Sequence, residues 1–502
     1  MNVQEAFAYY RKKERELHAL EHSMGVLYYD AVTAAPSDSA EGRGETMEYL
    51  SNLQYEAAND PKLKEAVDYL AQNLDALEPI QRREIENFRR SNEYISSIPQ
   101  EEFVAYNVLL NDAESVWHKA KAEDDYAAFA PYVRKIFETN KRFAGYYRPD
   151  KDPYDVQLDL FERGLTKEKA DAFFDQLRGK IVPLLHKVME KPQVDDSFLH
   201  QTFPAEAQRK LSDYLMEIMT IDRRHCSIGE TEHPFTTGFN KKDIRITTHY
   251  HEDAPLSSMY SVIHEGGHAL YEMNTADELE GTALRGGVSM GIHESQSRFY
   301  ENLIGRSRPF MDLIFPKLRE LFPTQLSDVS TEQMYLAANK AEPSLIRTEA
   351  DELTYCLHIM VRYEIEKGLF SGTIDADDLP RIWNEKYKEY LGIDVPSDKE
   401  GCLQDSHWAG GNVGYFPSYA LGSAYGAQML AKMRETVDVE KTVADGDLKP
   451  LADWLQEHIW KYGCMLDPGE LLEQACGAPF DPKYYVNYLE EKFREIYGLE
   501  SL

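Results

Sequence analysis

The chain has 502 residues (57.8 kDa) and carries 55 Lys and Arg against 87 Asp and Glu, a formal net charge of −32. That balance excludes a nucleic-acid-binding body, which needs a basic surface for phosphate, and an anionic membrane face would repel it. With 42% hydrophobic and 12% aromatic residues the chain is too apolar to remain disordered and long enough to bury a large core.

The first residues, Met1-Asn2-Val3-Gln4-Glu5, lack a basic segment followed by an apolar one, so no signal peptide is expected. No apolar run approaches the ~20 residues of a membrane span. Residues 3–22 are rich in Ala, Leu, Glu, Lys and Arg, with Phe7, Leu17 and Leu20 on a rough helical stripe. Similar patterns predict helices near 62–76, 79–95, 101–122, 166–190, 204–221, 343–368 and 481–497. The clearest strand pattern is Asp243-Ile244-Arg245-Ile246-Thr247-Thr248, where polar and apolar side chains alternate. Breaks fall at Asp60-Pro61, at 148–153, at Val395-Pro396-Ser397 and at Gly477-Ala478-Pro479. None is a long flexible linker, and no repeat of 20–50 residues is present. The expected architecture is one large, mainly α body over 1–502 with a small β-element, whose first ~150 residues can form a helical subregion. Cys226, Cys356, Cys402, Cys464 and Cys476 are scattered, with no C-x-x-C pair. A disulfide framework or a cysteine zinc site is therefore not expected, and a reducing cytoplasm suits them.

One pentapeptide carries chemistry: His264-Glu265-Gly266-Gly267-His268, an H-E-x-x-H. On a helix, residues i and i+4 share a face, so His264 and His268 can offer two nitrogens to one zinc ion. Glu265 points to the adjacent edge, where it can take a proton from a water that the ion activates. Pro255 fits an early helical position, with Asp253 or Ser257 near the cap. Gly266 and Gly267 each cost roughly 1 kcal/mol relative to Ala inside a helix, which suggests that substrate or a packed strand approaches the backbone there. A third protein ligand is required, with a fourth position open. The metzincin extension is excluded, because Tyr271 and Asn274 stand where Gly and His would be needed. Glu294, in Gly291-Ile292-His293-Glu294-Ser295-Gln296 and 26 residues after His268, leads the candidates on a following helix. Glu278 and Glu280 compete from the connecting stretch, and Glu272, one turn past His268, suits a partner to a ligand imidazole.

These residues resemble the carboxypeptidase Taq family of metallocarboxypeptidases. The resemblance runs through His264–His268 and His293-Glu294-Ser295-Gln296. It extends to His233-Pro234-Phe235, Asp243-Ile244-Arg245-Ile246-Thr247, Ile346-Arg347-Thr348-Glu349-Ala350-Asp351 and Gly401-Cys402-Leu403-Gln404-Asp405-Ser406-His407-Trp408, in that order. Towards the N-terminus it includes Tyr154-Asp155 and Gly164-Leu165-Thr166, so it covers nearly the whole chain. The chain departs from the family where Tyr29-Asp30 and Ala35-Pro36 replace the frequent Trp-Asp and Met-Pro. The resemblance implies a helical gluzincin-type fold with a deep groove, in which the N-terminal subregion forms a lid. It also implies removal of single C-terminal amino acids with broad specificity, one Zn²⁺ or Co²⁺ per chain, and a homodimer. Arg347 matches the family's arginine, and a planar guanidinium suits a terminal carboxylate. Arg245 is the second choice, on a strand expected to offer its edge to a peptide. His407 resembles the family's active-site histidine; Tyr415 and Tyr419 are phenol donors suited to an oxyanion. His233 is expected to line the pocket, whereas His249 and His251 are expected at the surface.

The leading reading is a cytoplasmic metallocarboxypeptidase acting on peptides, with Glu265 as general base. A helical oligoendopeptidase or dipeptidyl carboxypeptidase is the alternative, separated from it only by where the carboxylate is anchored. An aminopeptidase is disfavoured, because no G-x-M-E-N stretch precedes the metal helix, and a scaffold with a vestigial motif would hold no metal. The strip 231–250 holds Lys241, Lys242 and Arg245 against Glu232 and Asp243, a net of +1. With Arg347 and the metal, it predicts a locally positive groove inside an acidic shell.

Overall fold

Straight-chain Ala, Leu, Glu, Lys and Arg lose little rotamer freedom in helices, and helix dominates the computed structural model, which describes residues 2–500. The N-terminal half contains α1 (Val3–Thr33), α2 (Ala40–Ala58), α3 (Pro61–Ala71), α4 (Pro79–Ser97), α5 (Gln100–Glu123), α6 (Tyr126–Tyr147), α7 (Pro153–Phe161), α8 (Lys167–Met189) and α9 (Ala205–Ile218). A small sheet follows, made of β1 (Cys226–Glu230), β2 (Thr236–Asn240) and β3 (Asp243–Thr248). The remainder is α10 (Pro255–Met273), α11 (Met290–Arg298), α12 (Arg308–Leu321), α13 (Thr331–Ala338), α14 (Glu352–Ser371), α15 (Leu379–Leu391), α16 (Pro417–Met433), α17 (Val439–Ala444), α18 (Lys449–His458), α19 (Pro468–Cys476) and α20 (Lys483–Tyr497). No described helix is long and apolar enough to cross a membrane.

The predicted helix over 343–368 begins only at Glu352. Asp351 takes the N-cap and accepts the Leu353 and Thr354 amides, while Arg347–Glu349 form a separate 3₁₀ turn. The start of α10 also differs from expectation. Ala254 is its N-cap with no side-chain bond, and Pro255 is the first helical residue, where its missing N–H leaves one donor fewer to satisfy.

Within the first 150 residues, a small core stands apart from the main one. Ala6, Tyr10, Leu63, Ala66, Val67, Leu70 and Ile85 form a small core of their own between α1, α3 and α4. The large core already begins at Ala113 and Trp117 of α5 and runs to Tyr497. The far part of α1 lies against the sheet: His22 stacks on Phe239 at 4.7 Å, and Tyr28 sits 5.9 Å from Phe235.

The strand predicted at 243–248 is β3, but it is not an edge. The sheet order is β1-β3-β2, with β1 parallel and β2 antiparallel to β3. Strand β3 is therefore paired on both sides, and β2 is an edge beside the metal helix.

α10 and α11 pack closely enough for backbone to meet backbone. A Cβ on Gly267 would stand 2.5 Å from the Gln296 carbonyl oxygen and 2.7 Å from Ser297 Cα; one on Gly266 would meet the Met219 side chain at 2.8 Å. The close approach inferred from these glycines is real, but a helix and the core make it rather than substrate or a strand. Gly267→Ala is expected to gain about 1 kcal/mol of helix propensity and to lose about 1–3 kcal/mol to overpacking against backbone that cannot step aside. A lowered thermal midpoint together with weakened metal binding is the outcome to measure.

Candidate metal centre

α10 presents His264 and His268 one turn apart, and α11 presents Glu294 to them. Glu294 Oε2 lies 3.8 Å from His264 Nε2 and 3.6 Å from His268 Nε2. One oxygen or nitrogen from each residue falls within 4.8 Å of the others. Ligand atoms about 2.0–2.2 Å from one tetrahedral ion are about 3.3 Å apart, so a small contraction closes this set on a single divalent metal. The other Glu294 oxygen, Oε1, accepts from Arg298 Nε at 2.7 Å, which leaves Oε2 facing the histidines. Gly422 of α16 lets that helix press on Glu294, since a Cβ there would stand 2.6 Å from its Cβ and Cγ.

The outward nitrogens of both histidines are engaged. His264 Nδ1 is 2.7 Å from Glu301 Oε2, and His268 Nδ1 is 2.6 Å from His293 Nδ1, whose Nε2 is 2.8 Å from Glu272 Oε1. If His293 donates from Nε2 to Glu272, its Nδ1 is the acceptor, and His268 donates from Nδ1, leaving Nε2 free for a metal. Burial would raise the Glu301 carboxyl, but Arg298 and the bond with His264 outweigh it and hold the group at about 2. Glu301 sits in a π-helical turn, Phe299–Ile304, that continues α11. Sequence reasoning missed it, although its place two turns after Glu294 was a usable signal. Glu272 does support a ligand imidazole, as expected, but through His293 rather than directly.

Glu265 is buried, and its Oε2 accepts the Thr236 hydroxyl of β2 at 2.5 Å. Burial pushes its carboxyl above the usual range. Glu265, His268 and Glu294 line a cavity of about 640 Å³ together with Tyr415, Tyr419 and residues Thr236–Gly238 of β2. The two tyrosine rings lie 5.0 Å apart. Behind Tyr419, His407 Nε2 is 3.2 Å from its hydroxyl, and the Arg347 guanidinium is 5.0 Å from its ring centre. Burial, with Arg347 and Arg362 adding and Asp405 opposing, lowers His407 to about 4, so the imidazole is neutral near pH 7.

Arg347 is engaged already. Its Nε and Nη2 donate to Asp405 Oδ1 at 3.0 and 2.9 Å, and Nη1 meets the Tyr355 hydroxyl at 3.3 Å. Arg362 donates to the other Asp405 oxygen at 2.7 Å. Gln404 Oε1 accepts from the Arg347 amide and from Arg362 Nη2. Gln404-Asp405 thus gathers two arginines beside His407.

Five expected residues are not in the cavity lining: His264, Arg347 and His407, described above, and Arg245 and His233. Arg245 donates through Nε and Nη2 to Asp243 at 2.8 and 2.9 Å and lies over the Tyr29 and Phe239 rings. His233 is exposed, next to the lining residues Pro234 and Phe235. His249 and His251 follow β3, with His249 Nδ1 2.9 Å from the Thr231 carbonyl. The expected positive groove is not formed by side chains. Lys241 pairs with Asp277 and Arg245 with Asp243, and the cavity lining contains Glu265, Glu272 and Glu294 but no Lys or Arg.

Comparison with known proteins gives a consistent result. Residues 9–493 match the family described as carboxypeptidase Taq (M32) metallopeptidase. Carboxypeptidase 1 of Bacillus subtilis (strain 168) is 40% identical over 481 residues, covering 95% of this chain and 96% of the relative. Thermostable carboxypeptidase 1 of Pyrococcus furiosus is 36% identical over 485 residues, covering 96% and 97%. The crystal structure of the M32 carboxypeptidase from Deinococcus radiodurans R1 superposes with a TM-score of 0.94 at 34% identity, covering 98% of this chain and 99% of that one.

Replacing His293 by Ala is expected to weaken metal affinity about 10–100-fold, as loss of a ligand's hydrogen-bond partner typically does; competition with a chromogenic chelator measures it. Asp405→Asn is expected to cost about 3–5 kcal/mol, because it leaves Arg362 buried without its counter-charge. Burial opposes ionisation of Asp405, but Arg362 and Arg347 prevail and hold the carboxyl below its usual range. Its stabilisation is therefore complete above the unfolded value of about 3.9 and is lost as the pH falls below that. Thermal denaturation of wild type and variant against pH reads both effects.

Proposed function

The chain belongs to the carboxypeptidase Taq family and is a metal-dependent carboxypeptidase; from that premise we propose that it removes single C-terminal residues from peptides with broad specificity, using Glu265 as general base. The observation that carries this reading is the position of Glu265, fixed by Thr236 in the same cavity wall as His268 and Glu294. His264, His268 and Glu294 would hold one Zn²⁺, with Co²⁺ compatible with the same nitrogen and oxygen donors. When bound, the metal supplies a Lewis acid that acidifies a water and polarises the scissile carbonyl.

Glu265 accepts the proton of the attacking water and delivers it to the leaving amine. The tyrosine pair supplies the oxyanion donor, with Tyr419 oriented by neutral His407 and Tyr415 beside it. Arg347 receives the substrate's terminal carboxylate through Nη1, the edge that Asp405 does not use, so only the last peptide bond reaches the metal. β2, as the edge strand in the wall, suits main-chain pairing with the peptide, and His233 at the rim suits its upstream part. Arg245, stacked between Tyr29 and Phe239, serves the packing of α1 on the sheet. We further propose a single catalytic domain over the whole chain, with the helical subregion over about 1–150 as a lid. The enzyme is read as a cytoplasmic homodimer; its free cysteines suit a reducing compartment, and the dimer rests on the family resemblance.

Glu265→Gln is expected to retain one metal per chain and to lose at least about 10²-fold in rate, measured by metal analysis beside peptide hydrolysis. An unmodified peptide should shorten one residue at a time while its C-terminally amidated twin persists. Equal cleavage of both would replace the carboxypeptidase reading with an oligoendopeptidase.

A further inference from the structure

Two carboxylates buried in the body have no part in the reaction, yet both attach to one short helix. Glu162 follows the last residue of α7 and is 1% exposed; Glu366 of α14 is fully buried. Neither has a cationic partner among the described residues, and burial pushes both carboxyls up to about 7. Each is satisfied by hydrogen-bond donors instead. Glu162 accepts the Gly291 amide at 2.9 Å and the Ser289 hydroxyl at 3.1 Å, and it also bonds the Tyr425 hydroxyl. Ser289 is the N-cap of α11, so Glu162 grips the start of the helix that carries Glu294. A Cβ on Gly291 would stand 2.7 Å from Glu162 Oε2; the glycine admits the carboxylate to the helix end, where the backbone dipole favours negative charge.

At the other end of α7, the Tyr154 hydroxyl donates to Glu366 Oε2 at 2.8 Å. Glu366 also accepts Trp408 Nε1 at 2.8 Å and the Gly414 amide at 3.0 Å. Those two donors belong to the segment that carries His407 and Tyr415. The middle of α7 touches the same segment. Gly414, with φ +89°, packs so closely that a Cβ would stand 2.8 Å from the Gln157 carbonyl carbon. The Phe161 ring meets Tyr415 edge-on at 5.2 Å. Between Tyr154 and Glu162 the helix spans about 12 Å at 1.5 Å per residue.

We propose that α7 is a rigid strut that sets the distance between the metal-bearing helix α11 and the His407–Tyr415 segment, with Glu162 and the Tyr154–Glu366 pair as positioning residues at its two ends. The metal end stands on the observed ligand cluster; the other end rests on the roles proposed above for His407 and the tyrosines. Helices α11 and α16 already touch, but the His407–Tyr415 segment is an irregular stretch with no ladder of its own. Hydrogen bonds to buried carboxylates are strong and directional, which makes them suited to holding such a segment to sub-ångström tolerance.

The test uses variants that remove one hydroxyl from each end, Tyr425→Phe at the Glu162 end and Tyr154→Phe at the Glu366 end. Both preserve shape and are mild enough to fold. Metal is removed from the whole enzyme, and Co²⁺ is titrated back by its visible absorption in competition with a chelator. Tyr425→Phe is expected to raise the Co²⁺ dissociation constant about tenfold, whereas Tyr154→Phe leaves it at the wild-type value. At saturating Co²⁺ each single variant is expected to lower kcat/KM about tenfold. Since either change frees the same helix, the double variant should lose less than the product of the two single losses. Fully multiplicative losses overturn the strut, as does a fall in thermal midpoint in both variants with Co²⁺ affinity and kcat/KM unchanged. The Co²⁺ titration needs no substrate. A wild type that binds Co²⁺ but leaves the peptide intact would sink the peptidase reading alone, and the strut would then stand or fall on the contrast between the two dissociation constants.

Discussion

The metal site depends on one contact, the backbone-to-backbone approach of α10 and α11 at Gly267. His264 and His268 are placed on one face by helical spacing alone, but Glu294 belongs to another helix whose distance is set by packing. With a side chain at 267 the two helices would stand further apart, and the Nε2 to Oε2 separations of 3.6 and 3.8 Å would open. α16 applies the same constraint from the other side, through Gly422 against Glu294. Glycines that lower helix propensity thus gain a geometry that no larger residue allows.

Around that contact the site is preorganised by hydrogen bonds that fix protons as well as positions. Glu301 and the His293–Glu272 chain engage both outward nitrogens, so each ligand histidine can turn Nε2 inward, where a metal would take it in the neutral form. Thr236 holds Glu265 in the same way from the edge strand. The supporting residues come from four elements, and their convergence places Glu265 in one cavity lining with His268 and Glu294.

Electrostatics near the site runs through pairs. Arg298 joins Glu294 and Glu301, Arg285 joins Glu272, and Arg347 and Arg362 share Asp405. The cavity itself is lined by three glutamates and no Lys or Arg. Its positive charge must therefore come from the metal, with Arg347 next in reach behind the tyrosines. The large negative charge of the chain is carried mainly by exposed helix faces, where it favours solubility and leaves the chemistry to a few buried acids.

Much of this was legible in the sequence because it is encoded by local spacing. The H-E-x-x-H pair, the strand at 243–248 and most long helices follow from periodicities of 3.6 and 2. The choice of Glu294 followed from chain length between two helices, and the family resemblance supplied Arg347 and His407. What spacing cannot encode is which segments meet. The sequence shows β3 as a strand but not that β1 and β2 pair on both of its sides, and it shows Arg245 as a cation but not that Asp243 and two aromatic rings occupy it. It shows two glycines in α10 but not that a helix backbone presses on one of them. Residue types and local periodicity determined which groups can bind a metal and move a proton; long-range packing alone decided which of them share a cavity, because that depends on contacts between residues far apart in the chain.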